Sequence, residues 1–172
     1  FVSKNSSKRL FFIDQLILII LNYFLLSFLI ALPFYLSNYQ ITFLNSFFEA
    51  VSGISNTGFS TFNNLKYFDP TLILWRSSSQ WIGGLIFLFF LVLIFSNKQF
   101  NYKMNDLTYS GDGGINSENN IKDLLLKIFI LFSIISFIIF LLLNFSGIRM
   151  FNSLNLSMSL ISSGGFLPTD SL

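Results

Sequence analysis

Two short strings, Ser55-Asn56-Thr57-Gly58 and Ser162-Ser163-Gly164-Gly165, each close an apolar stretch and carry the residue types from which a backbone ion site is built. Glycine reaches backbone angles closed to other residues, so neighbouring carbonyl oxygens can turn toward one point. Such carbonyls replace the hydration shell of a monovalent cation. Side-chain chemistry offers much less. The 172 residues include no His and no Cys, which removes zinc sites, thiol or imidazole nucleophiles, disulfides and redox motifs together. No acid, base and nucleophile converge at a usable spacing, so the chain does not read as an enzyme, and no cofactor is expected. A net charge of +2 with no basic run gives no footprint for nucleic acid.

The two strings belong to a longer internal repeat. Shifting the chain by 107 residues without gaps lays Leu44 to Phe59 on Phe151 to Phe166, with seven identities in sixteen positions. Asn45-Ser46 meets Asn152-Ser153, Ser52 meets Ser159, Ile54-Ser55 meets Ile161-Ser162, and Gly58-Phe59 meets Gly165-Phe166. A unit of this length that occurs twice in parallel orientation implies a repeat architecture.

The elements that must position these strings follow from composition. Hydrophobic residues make up 53% of the chain and charged ones 10%, too few to cover a soluble core. The apolar residues are blocked, not spread evenly. Leu16 to Leu36, Thr71 to Phe95 and Leu124 to Phe145 are each long enough to cross roughly 30 Å of hydrocarbon as a helix. Phe43 to Ile54 and Met150 to Ile161 are too short to cross, and each runs directly into one of the two strings. The expected fold is all-α integral membrane, built as helix–pore-loop–helix repeats, with three transmembrane helices and two re-entrant pore helices. Residues 10–96 form a first repeat, 97–123 a polar aqueous loop, and 124–172 a second repeat that ends after its pore loop. The chain opens on Phe1 and stops inside this second unit, which reads as part of a longer protein.

Basic residues set the orientation. Lys4, Lys8 and Arg9 precede the first span and Lys98, Lys103 and Lys122 lie in the central loop, whereas the connections holding the half-spans carry only Lys66 and Arg149. The N-terminal flank and the 97–123 loop are therefore expected in the cytoplasm. Each half-helix then enters from outside and aims its partially negative C-terminal end at the membrane centre, which also favours a cation. Irregular backbone at that depth is tolerated only where protein covers it or a water-filled cavity meets it.

The string Phe47-Phe48-Glu49-Ala50-Val51-Ser52-Gly53-Ile54-Ser55-Asn56-Thr57-Gly58-Phe59-Ser60, followed by Leu74-Trp75-Arg76-Ser77-Ser78-Ser79-Gln80-Trp81-Ile82-Gly83-Gly84, resembles the first pore repeat of the Trk/Ktr/HKT potassium transporter superfamily, the bacterial TrkH subunits most closely. Ser162-Ser163-Gly164-Gly165-Phe166 is similar to the second-repeat filter of the same proteins. The resemblance covers nearly all of the chain from Leu16. It implies potassium uptake, passive or by symport, through four repeats around one path, with K⁺ held at the filter residues Ser55, Asn56, Thr57, Gly58 and Ser162, Ser163, Gly164, Gly165. It also implies a homodimer in the bacterial inner membrane, served by a cytosolic nucleotide-binding regulatory subunit of the TrkA kind. The chain departs from the family pattern at Asn56, where Thr is common, and at Leu167-Pro168, where Ser is usual. Two alternatives differ in class: a sodium or mixed monovalent-cation channel of similar architecture, and a membrane scaffold that transports nothing.

Several single residues carry two readings each. Ser46-Phe47-Phe48-Glu49 has capping-box spacing, and the other role for Glu49 is attraction of cations. Arg76 is either a snorkelling residue near the outer interface or a donor to pore-loop carbonyls or to Glu49. Gly83-Gly84 is expected to let helices approach closely. Trp75, Trp81, Tyr35, Tyr39 and Tyr67 suggest an outer aromatic belt. Gly58 and Gly165 could act as plain helix stops or as filter residues, and Gly58→Asp is expected to lose potassium uptake or selectivity with the fold kept.

Overall fold

The computed structural model describes residues 3–62, 64–95 and 118–169. Its elements are α1 (Ser3–Tyr35), α2 (Phe43–Ile54), a 3₁₀ turn (Leu65–Tyr67), α3 (Pro70–Phe95), α4 (Glu118–Phe145) and α5 (Met150–Ile161). The described residues contain no strand, and the protein is an all-α membrane protein. Ile13–Tyr35, Pro70–Ile94 and Lys122–Phe145 are each long and apolar enough to cross a bilayer. Most of the loop expected over 97–123 lies outside the described residues, and from Glu118 onward the chain is already helical.

Each boundary has a local cause. Pro33 lacks the N–H that would bond one turn back, and α1 stops two residues later, where the Ser37 hydroxyl donates to the Phe34 carbonyl at 2.6 Å. Thr42 caps α2 by accepting from the Asn45 N–H at 3.3 Å. Pro70 opens α3 at the position where a missing N–H costs nothing. Two hydroxyls inside the spans are satisfied by their own helices: Ser27 donates to the Tyr23 carbonyl and Ser136 to that of Phe132, both at 2.8 Å.

Ile30, Ala31 and Phe34 of α1 pack on Ala50 and Ile54 of α2, with Leu72, Trp75 and Ile86 of α3 closing the cluster. The same order returns in the second unit, where α4 packs on α5. Between the two stands α3, in contact with α2, α5 and α4. Of its buried residues, Ile73, Arg76, Ser77, Gln80, Gly83 and Gly84 recur at the spacing of one helical face, with Ser79 beside it. That face meets both half-helices, so most of the polar content of α3 is turned inward. The outer faces are the reverse. Ile134, Phe137, Ile138 and Leu142 of α4 are exposed, as helix faces in contact with lipid tails must be.

Candidate functional site

The two half-helices end in the same way. The Asn56 N–H bonds to the Gly53 carbonyl and the Thr57 N–H to that of Ser52; 107 residues later, Ser163 bonds to Leu160 and Gly164 to Ser159. This paired closure satisfies the last helical carbonyls and requires a left-handed residue directly after the cap. Asn56 and Ser163 supply it, each with φ of 55°. The helix stop is therefore made by Asn56 and Ser163, and the plain-stop role considered for Gly58 and Gly165 does not apply. Those glycines lie two residues further on and turn the chain a second time, with φ of 75° and 77°.

The two loops touch. A Cβ placed on Gly58 would collide with the Gly164 carbonyl oxygen, and one placed on Gly165 would lie 3.7 Å from the Gly58 Cα. Their depth follows from α3. Gln80 to Gly84, which meet both loops, lie roughly 15–21 Å along a helix of 1.5 Å rise that begins at Pro70, near the middle of its span. The loops are thus level with the centre of the membrane-crossing helix. Among the described residues, no group donates to the carbonyls of Ser55, Asn56, Thr57 or Gly58, nor to those of Ser162, Ser163 or Gly165. At such depth each of these oxygens needs a partner, because an unsatisfied carbonyl costs several kcal/mol in hydrocarbon.

Helix α3 fixes both loops from behind. The Asn56 amide, in the orientation that satisfies both its ends, donates to the Gln80 carbonyl at 2.9 Å and accepts from the Gly84 N–H at 3.0 Å. Gln80, fully buried, donates through Nε2 to the Gly164 carbonyl and accepts at Oε1 from the Phe166 N–H at 3.2 Å. Gly83 lies against the Ile54 backbone at the end of α2, and Gly84 against Ser162 at the end of α5. The glycine pair brings α3 onto both half-helix termini at once.

Above the loops sits a buried ion pair. Arg76 Nε donates to Glu49 Oε1 at 2.5 Å, and the two side chains are 5% and 0% exposed. The remaining carboxylate capacity accepts from the Ser60 hydroxyl at 2.9 and 3.1 Å and from the Thr61 N–H at 3.1 Å. Arg76 also donates through Nη1 to the Leu167 carbonyl at 2.9 Å, and its guanidinium lies 3.8 Å from the Phe166 ring centre. One charge pair thereby ties down the stretch after the first loop and the stretch after the second.

Comparison with known families covers nearly the whole chain. Residues 2–172 match the model of the TrkH family, described as cation transport protein. The chain belongs to that family. An uncharacterized cation transporter of Methanocaldococcus jannaschii is 29% identical to this TrkH-family chain over 143 residues, covering 81% of the chain and 29% of that protein. The Trk system potassium uptake protein TrkG of Escherichia coli K12 is 31% identical over 86 residues, 49% of the chain and 18% of TrkG. The Trk system potassium uptake protein TrkI of Halomonas elongata is 32% identical over 72 residues, 42% of the chain and 15% of TrkI. The chain thus spans less than a third of each relative's length. No solved structure is significantly similar to it.

Within this TrkH-family chain, the eight string residues form two adjoining loops, and Glu49 and Arg76 meet directly behind them. The capping box expected at Ser46 and Glu49 is absent. Thr42 caps α2 instead, the Ser46 hydroxyl has no partner among the described residues, and Glu49 faces forward onto Ser60 and Thr61. Glu49 lies seven residues beyond the cap at Thr42, too far to reach back to it, and its oxygens are held by Arg76, Ser60 and Thr61. Trp81 also departs from the aromatic belt. It lies mid-span and donates at 2.9 Å to the Ser136 hydroxyl of α4. Sequence reasoning missed Gln80 and Ser60. The signal for Gln80 was present: Arg76, Ser77, Gln80, Gly83 and Gly84 share one helical face, and polar groups in a spanning helix require buried polar partners.

The close approach at Gly83 gives a direct test. Its Cβ would strike the Ile54 backbone, which cannot rotate away as a side chain can. Gly83→Ala in the full-length protein is expected to lower stability by about 1–3 kcal/mol, measured as a drop in the thermal midpoint of the detergent-solubilised protein. An unchanged midpoint would show that α2 and α3 are not packed through this glycine.

Proposed function

We propose that the full-length protein containing this chain takes up potassium, through a path whose filter is built from the loops Ser55 to Gly58 and Ser162 to Gly165. The observation that carries the proposal is the meeting of Gly58 and Gly165 at mid-span, in two loops with matching left-handed residues and with carbonyls that, Gly164 apart, accept from no group among the described residues. Backbone oxygens in that setting suit a dehydrated monovalent cation. The half-helices add the negative ends of their dipoles behind each loop. Potassium is favoured over sodium by the likeness to TrkG and TrkI, both named as potassium uptake proteins.

On this reading K⁺ is the transported ion and no cofactor takes part. The protein acts as a homodimer in the bacterial inner membrane, by symport or passively, with a nucleotide-binding regulatory subunit of the TrkA kind on its cytosolic side. The first unit is residues 10–96 and the second begins at 124. The N-terminal flank and the 97–123 loop face the cytoplasm, an orientation that rests on the distribution of Lys and Arg.

The test is expression of the full-length protein in bacterial cells lacking their own potassium uptake systems. Growth at limiting potassium, and rubidium uptake that potassium inhibits better than sodium, are expected. Inhibition by sodium at equal strength would replace potassium uptake with a mixed-cation pathway, and no uptake of either ion would leave the scaffold alternative.

A further inference from the structure

The hydrogen bonds of Gln80 distinguish the second loop from the first. Its amide reaches across from α3 to serve two backbone groups that flank Gly165, the carbonyl of Gly164 on one side and the N–H of Phe166 on the other. A Cβ on Gly164 would run into the carboxamide itself, so the amide fills the space that a side chain at 164 would need. Gly164 is buried while Ser163 and Gly165, its neighbours on either side, are exposed. The Gly164 carbonyl is therefore turned toward α3.

The first loop has the same backbone angles and no such strap. Thr57 stands at the position matching Gly164, keeps its side chain, and turns its hydroxyl back onto Ser52 at 3.1 Å. All four carbonyls from Ser55 to Gly58 stay unclaimed by the described residues, whereas in the second loop one of four is taken. Two loops of the same shape thus offer an ion different numbers of oxygens.

We infer that Gln80 is a specificity-determining positioning residue, which acts from the first unit to withdraw the Gly164 carbonyl from the ion and to hold the Gly165 turn. This rests on the proposed filter. An ion's preference depends on the number and field strength of the carbonyls around it, so a group that removes one oxygen and fixes the next helps set that preference without touching the ion.

Gln80→Glu in the full-length protein is the decisive variant because it keeps size and shape. Where the carboxyl is ionised, its oxygen still accepts from the Phe166 N–H and nothing donates to the Gly164 carbonyl; Gln80→Met, of similar length, removes the donor even where a buried carboxyl would keep its proton. Potassium over sodium preference, measured from uptake at matched membrane levels, is expected to fall about tenfold, equivalent to about 1.4 kcal/mol. Should this variant fail to reach the membrane, Gln80→Asn, whose shorter arm cannot serve both groups, decides in the same way. An unchanged cation preference in the variant overturns the inference, whichever ion the wild type prefers. A wild-type protein that carries no potassium overturns the proposed function instead, so the two failures are distinguishable.

Discussion

Replacing Gly58 with alanine is expected to reduce cation uptake by the full-length protein about a hundredfold, and the same change at Gly165 only about tenfold. Both positions are left-handed, with φ of 75° and 77°, and a side chain there costs about 1–2 kcal/mol. Only Gly58 meets a second obstacle. Its Cβ would collide with the Gly164 carbonyl, a backbone atom of the opposite loop, and overpacking of this kind adds about 1–3 kcal/mol. At 1.4 kcal/mol per factor of ten, the two terms together give the hundredfold figure. Gly165 has its nearest such contact at 3.7 Å and suffers the conformational term alone. Rubidium uptake at matched expression measures both. Equal losses at the two positions would mean that the loops do not press on one another as described. The structure also corrects the expectation that Gly58→Asp spares the fold, since any side chain at 58 displaces the second loop.

Breaking the Glu49–Arg76 pair from either side is the other large effect. Removing one member of a buried ion pair leaves a charge that no water can reach, at a cost of about 3–5 kcal/mol. Arg76→Gln strands a carboxylate that is fully buried, and also frees Leu167 and Phe166; Glu49→Gln takes from the buried guanidinium the carboxylate that faces it and weakens the hold on Ser60 and Thr61. Each single variant is expected to lower the thermal midpoint strongly and to lose uptake. The double variant Glu49→Gln with Arg76→Gln is expected to be less damaged than the sum of the two, because neither charge is then left alone. Thermal unfolding of all four proteins closes the cycle. Strict additivity would show that the two residues act separately, and would remove the pair as the tie between the loops.

Much of this was legible in the sequence because repetition is legible. The 107-residue shift found by identity is also the shift between α2 and α5, between their closing hydrogen bonds, and between the left-handed residues at 56 and 163 or 58 and 165. Long apolar blocks likewise announced the three spans. What periodicity could not supply was the partner of each polar side chain. Ser46 and Glu49 have the right spacing for a local cap, yet a buried guanidinium 27 residues away holds the carboxylate. Gln80 sits 84 residues from the carbonyl it serves. Such contacts depend on how helices stand beside one another, and that information is absent from any single stretch of chain. The polar face of α3 was visible as a pattern; which loop it faced was not.

The bonds that α3 makes to the second loop run from one unit to the next, front to back. Contacts of this heterologous kind leave an open donor at one end and an open acceptor at the other unless the series closes on itself, and closure produces a ring. A lone copy of the unit would hold a helix whose Gln80 amide has no following loop, and a loop with no preceding helix to strap it. In this chain the second loop takes part of its geometry from the helix of the first unit, so the repeat visible along the sequence is out of step with the unit that the hydrogen bonds define.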